Sequence, residues 1–375
     1  MIWKFPFYEI GAPVDWENLK QSYDWIRDMI GVPQNPVWHA EGDVFNHTKL
    51  VIEALTSLPE YHALDEQNKH ILFTAALLHD VEKRSTTTTE DVDGISLIVS
   101  PNHSRKGEYT SRMLLYKDIE TPFSIREEIA NLVKYHGMPL WTLDKDNPVK
   151  DVVKASLVLN TELLYLLSKV DVLGRICEDK EDLLLKIELF KELCLENDCF
   201  GKKRHFPSDL ARYTFLNKED MSFDYEPFDD LSYTVYMLSA LPGTGKDTYI
   251  RNNLSYPVVS LDDIRREYQI PPSDRQRTGE VVQLGKELCK TYLRKKTSFV
   301  FNATNLTRDL RNKWISLFTD YNARVKIIYL EVPYKRLVYQ NKNREYVVPD
   351  DVVERLISKL EIPTYDEAHH VEYLT

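Results

Sequence analysis

From about Trp16 to Phe200, apolar residues recur at three- and four-residue spacing, in segments such as HILFTAALLHDVEKR (70–84) and SIREEIANLVKYHG (124–137). That is the period of helices that bury one face. Hardly any of this stretch alternates as a strand does, so an all-α domain is expected. Gly137 directly after His136, with Pro139 beyond it, marks a helix end. The pattern changes after a short acidic, aromatic stretch, MSFDYEPFDDLSY (221–233). TVYMLSA (234–240) reads as a buried strand, and YPVVSL (256–261), SFVFNAT (298–304) and VKIIYLEV (325–332) are further strand candidates. They alternate with the helical stretches VVQLGKELCKTYLRKK (281–296) and RDLRNKWISLFTDY (308–321), the order of a parallel sheet with crossover helices. The expected architecture is an all-α domain over 1–225 and an α/β domain over 226–375, joined between Asp220 and Leu231.

A length of 375 residues agrees with two domains, because one hydrophobic core seldom serves so long a chain. The net charge of -11 argues against nucleic acid only if it is spread evenly, and it is not. From Ser232 onward 22 Lys/Arg stand against 18 Asp/Glu, a balance of +4, which leaves 26 against 41, or -15, in the first part. The second part can therefore offer a local basic lane for phosphates, while the acidic first part suits clustered metal ligands. No run of about 18 apolar residues and no signal-peptide pattern appears, so a cytoplasmic protein with no membrane partner is expected. Cys177, Cys194, Cys199 and Cys289 form no C-x-x-C pair and read as reduced packing residues.

The first chemical signal is Ala240-Leu-Pro-Gly-Thr-Gly-Lys-Asp-Thr248, between a predicted strand and a predicted helix. Gly243 and Gly245 let the backbone fold so that the N–H groups of the loop, Thr244 among them, face phosphate oxygens at a helix N-terminus. Lys246 would reach the β- and γ-phosphates of ATP or another nucleoside triphosphate carrying Mg²⁺. The string departs from G-x-x-x-x-G-K-[ST] at Ala240 and again at Asp247, where a magnesium-ligating hydroxyl is expected. Either the Asp247 carboxylate or the Thr248 hydroxyl could serve. Next, Asp262-Asp263-Ile264-Arg265-Arg266 follows a strand end, the edge of an α/β sheet where ligands bind. A carboxylate there can take a proton from an acceptor hydroxyl, and an arginine can grip a phosphate.

Together with NATNLTRDLR (302–311) and VPYKRLVYQNKNR (332–344), these motifs resemble the polynucleotide 5′-kinase module of phage-type end-healing enzymes over essentially all of 232–375. The resemblance implies that Asp262 is the general base for a 5′-hydroxyl. It implies further that Arg265 contacts the phosphate on the 3′ side of the acceptor nucleotide, and that lid residue Arg344, with Lys246, stabilises the transferring phosphoryl group. Gln340 sits where the family often has another lid arginine, and Ala303 where it has an aspartate before Thr304-Asn305.

In the first part, His79-Asp80 ends an apolar helix and is accompanied by His47, His103, His136 and Asp171. Neutral imidazoles and carboxylates suit divalent transition metals. The order H, HD, H, H, D resembles the HD-domain phosphohydrolase superfamily. The resemblance implies one metal on His47, His79, Asp80 and Asp171, and a second on His103 and His136 with Asp80 bridging. Lys83, Arg105 and Lys106 are suited to neutralising phosphate charge. His39, His62, His70, His205, His369 and His370 match no motif position and read as structural or exposed.

The whole chain resembles the bacterial HD-Pnk type of bifunctional end-healing enzyme. That resemblance implies metal-dependent removal of 2′,3′-cyclic, 2′- or 3′-phosphates and phosphorylation of 5′-hydroxyls on RNA or DNA ends, leaving them ready for a separate ligase. The residues alone also accommodate an HD nucleotidase fused to a nucleoside or small-alcohol kinase.

Overall fold

The computed structural model describes residues 2–92, 94–271, 274 and 276–375. It divides into two compact units, Met1–Arg204 and His205–Thr375.

The first unit is a helical assembly around one apolar core. Its central helices are Val44–Ser57, Glu66–Leu78, His103–Lys117, Phe123–Tyr135 and Thr161–Leu173. Three of them start where a side chain satisfies the free N–H groups of a helix end: Asp43 accepts from Asn46, Asp65 from Asn68, and Asn160 from Glu162 and Leu163. The Glu66–Leu78 helix is buried on nearly every side from His70 onward. The all-α expectation holds except for an antiparallel hairpin, β1 (Thr88–Val92) with β2 (Ile95–Val99), turning at Gly94, whose φ of +81° favours glycine. The Phe123–Tyr135 helix ends where predicted, but not on a left-handed glycine. Gly137 has φ -82°, and Pro139 stands at the start of a further short helix, Met138–Trp141.

The second unit carries a five-stranded, all-parallel sheet in the order β4-β5-β3-β6-β7. The strands are β3 (Thr234–Ala240), β4 (Val258–Ser260), β5 (Phe299–Asn302), β6 (Arg324–Leu330) and β7 (His370–Leu374). The first three fall within the predicted strands, and β6 begins one residue before its expected range. Central β3 is buried at almost every position, as a strand covered on both faces must be, and its carboxyl end opens into the glycine loop.

The packing divides the chain between Arg204 and His205, about sixteen residues before the acidic stretch that suggested the join. The Asp209–Asn217 helix belongs to the second unit, where Arg212 donates to the carbonyls of Tyr365 (3.2 Å) and His369 (2.7 Å) and Asn217 to that of Asp366 (2.9 Å). Among the described residues, no helix is long and apolar enough to cross a membrane.

Candidate active sites

In the first unit, five helices deliver six side chains to one buried cluster. His47 lies on the Val44–Ser57 helix and Asp171 on Thr161–Leu173; His79 and Asp80 follow Glu66–Leu78, His103 opens the 103–117 helix, and His136 caps the 123–135 helix. Close approach of the first two helices depends on Gly174. A Cβ there would meet Val51 Cγ2 at 2.7 Å and Val51 N at 2.8 Å.

The ligand atoms form two groups that share Asp80. On one side, Asp80 Oδ2 is 3.3 Å from His79 Nε2 and 3.8 Å from His47 Nε2, and Asp171 Oδ1 is 3.0 Å from His47 Nε2. On the other side, Asp80 Oδ1 is 3.4 Å from His103 Nε2 and 3.9 Å from His136 Nε2. The Nδ1 atoms of His79, His103 and His136 each lie 2.7 Å from a backbone carbonyl, of Ala76, Ser100 and Val133. Those contacts put the proton on Nδ1 and leave each Nε2 a lone pair facing inward. Two such lone pairs, His103 and His136, meet at 3.4 Å, and Asp80 Oδ1 is buried between them with no hydrogen-bond donor among the described residues. Converging acceptors of this kind fit divalent cations.

The electrostatics agree. Burial pushes His136 down to about 3, with His79 and His103 adding to the effect, so its imidazole is neutral near pH 7. Burial alone would raise Asp80, but Lys83 and His79 hold its carboxyl well below the usual range. Asp171 is held down likewise, chiefly by Arg175, which grips it through Nη2 at 2.6 Å and Nε at 3.2 Å. His47, His79, Asp80 and Asp171 would hold one cation, and Asp80, His103 and His136 a second. Bound there, such ions polarise a phosphoester and lower the pKa of a coordinated water.

The supporting residues include several that the sequence pattern did not single out. Glu41 Oε1 lies 2.8 Å from His47 Nδ1 and 2.7 Å from His39 Nδ1, so His39 is part of the buried scaffold. Lys83, expected to neutralise phosphate charge, is buried and donates to Asp80 Oδ2 and Gln34 Oε1, both at 2.7 Å. Lys106, half exposed, reaches Ser85 Oγ at 2.7 Å, and Arg105 lies exposed on the first turn of its helix.

In the second unit the glycine loop links β3 to the Lys246–Asn253 helix. Gly243 and Gly245 have φ of +90° and +91°, the left-handed conformations that turn backbone N–H groups into an anion nest. Gly243 also lies against the Tyr334–Lys342 helix: a Cβ would meet Asn341 Cβ, Asn341 N and Leu337 O at 3.4 Å. Thr244 closes the loop from within, donating through Oγ1 to Leu241 O at 2.9 Å. Burial lowers Lys246, against the pull of Asp247 and Asp262 and with the push of Arg344, which sets all four charges around one place. These features fit a nucleoside triphosphate.

Asp262 is exposed on the first turn of the Leu261–Glu267 helix, and Arg265 lies one turn on, its Nη2 3.4 Å from Thr278 Oγ1. Gln340 has its own work in place of the lid arginine: its amide donates to Gly243 O at 2.6 Å and accepts from Arg336 Nε at 3.1 Å. Asn341 bonds both polar groups of Val348 (2.7 and 3.2 Å), pinning the turn that carries Arg344. Asn305, at φ +47°, donates to Leu238 O (2.7 Å) and accepts from Ser239 Oγ (2.9 Å), so the Thr304-Asn305 motif buttresses the strand that feeds the loop.

Residues 44–161 match the HD domain family, and residues 235–363 match an AAA domain family. The chain therefore joins an HD phosphohydrolase domain to a P-loop kinase-like domain, an enzyme architecture that pairs phosphoester cleavage with phosphoryl transfer.

Proposed function

We propose that the chain heals nucleic-acid ends, removing a 2′,3′-cyclic, 2′- or 3′-phosphate at the HD cluster and phosphorylating a 5′-hydroxyl at the glycine loop. The carrying observation is the pairing of Asp262 with Arg265 on one helix beside Lys246. The exposed carboxylate is free to accept the proton of an acceptor hydroxyl. One turn away, Arg265 keeps Nη1 without a hydrogen-bond partner among the described residues. An acceptor that brings its own phosphate next to its hydroxyl satisfies both, and a nucleotide within a strand does so where a free nucleoside does not. Arg344 and Lys246 would carry the charge of the phosphoryl group in flight.

Competition between a 5′-hydroxyl oligonucleotide, a 3′-phosphorylated nucleoside and the bare nucleoside tests this reading. Preference for the first two, lost in Arg265→Ala while the nucleoside rate is unchanged, is the expected result. Equal use of the bare nucleoside would favour the nucleoside-kinase alternative.

A further inference from the structure

Phosphate-binding loops ordinarily hold magnesium with the serine or threonine after the lysine and with an aspartate from the end of a neighbouring strand. Here the residue after Lys246 is Asp247, and the facing strand end is Asn302, last residue of β5, which pairs directly with β3. Asn302 Nδ2 donates to Asp247 Oδ1 at 2.8 Å. The acid here stands on the loop and a neutral amide at the strand end, and the pair carries a charge of -1.

The surroundings show what the arrangement is for. Asn302 is only 8% exposed, and its Oδ1 is buried with no donor among the described residues. Its amide nitrogen, by contrast, is spent on Asp247. An amide oxygen left unpaired beside a carboxylate is an oxygen-rich corner of the kind hard divalent cations occupy. The alternatives are accounted for. Thr248 is exposed and accepts from Arg251 Nη2 at 3.3 Å, and Ala303 packs into the apolar core without any donor.

We propose that Asp247 and Asn302 together form the divalent-cation site serving the bound nucleotide. Asp247 supplies the charged ligand in place of a hydroxyl, and Asn302 orients that carboxylate while offering its carbonyl oxygen. The inference rests on the kinase reading of the loop, but not on which hydroxyl accepts the phosphoryl group.

The test measures the affinity of a non-hydrolysable ATP analogue for the full chain with and without Mg²⁺. Wild type is expected to bind more tightly with Mg²⁺. Asp247→Thr loses about tenfold or more of that enhancement while its affinity without Mg²⁺ is kept or improved, because a negative charge beside the phosphates is gone. Asn302→Asp alone crowds two carboxylates and weakens binding in both conditions. The double exchange, Asp247→Thr with Asn302→Asp, restores the usual hydroxyl and acid and recovers the enhancement. Full enhancement in Asp247→Thr, or no recovery in the double variant, overturns the proposal while leaving the kinase reading standing. No binding of the analogue by wild type in either condition overturns the nucleotide reading itself.

Discussion

Glu41 shows how the candidate metal ligands are held in place by buried neighbours. Oε1 faces the Nδ1 atoms of His47 and His39, and Oε2 accepts from Ile176 N at 2.8 Å. One buried carboxylate therefore ties the ligand His47 to the turn just beyond Asp171 and Arg175. Glu41→Ala is expected to lower metal affinity by about 10- to 100-fold, with helical content unchanged. Metal content of the purified protein and Mn²⁺ titration measure it, and full occupancy in the variant would contradict the role. Such residues were not legible in the sequence. A histidine or aspartate stands out by its type and order, whereas an acid six residues before His47 looks like helix-cap chemistry. The same holds for Arg175, which follows the helix that carries its partner Asp171 four residues back, and for Lys83, which only burial separates from a surface charge.

At the scale of elements, the approach of the Val44–Ser57 and Thr161–Leu173 helices brings His47 within 3.0 Å of Asp171, and Gly174 permits it. Gly174→Ala places a methyl against the Val51 backbone and forces the helices apart, costing about 1–3 kcal/mol of stability as overpacking does and weakening metal binding with it. Urea denaturation combined with metal titration checks both effects; a variant unchanged in either would contradict the argument. The long helices and four of the sheet strands were readable because their periodicity is carried by many residues. The β1–β2 hairpin is not buried on one clean face, and its only cue is the Asp-Gly pair at 93–94 between Thr-, Val- and Ile-containing runs. Strand β7, five residues (HVEYL), has too few positions to show a period. The join was read at the acidic, aromatic linker because it is conspicuous in the sequence, while the contacts that pack the Asp209–Asn217 helix with the second unit run to Tyr365, Asp366 and His369, some 150 residues away.

Across the whole molecule, each unit has its own core and its own candidate site residues, 47–171 in one and 243–344 in the other. The second unit carries an acid-sensitive point. His369 is buried, its Nδ1 accepts from Val325 N at 3.0 Å, and burial lowers it from 6.5 to about 4. The folded state thus keeps this imidazole neutral where the unfolded chain would protonate it. Stability present above pH 6.5 is lost as pH falls toward 4, by up to about 3 kcal/mol. Urea denaturation at pH 7 and pH 5 should show this slope in wild type and a flatter one in His369→Gln; equal slopes would contradict it.

Under the proposed function, the two phosphate-handling sites work independently on one strand. The most direct test of this offers an oligonucleotide with a 5′-hydroxyl and a 2′,3′-cyclic phosphate to wild type, Lys246→Ala and Asp80→Ala, and resolves both ends of the product. Wild type should phosphorylate the 5′ end and open and remove the terminal phosphate. Lys246→Ala should lose only the first activity and Asp80→Ala only the second. Loss of both activities in either variant, or an oligonucleotide left untouched by wild type, would contradict it.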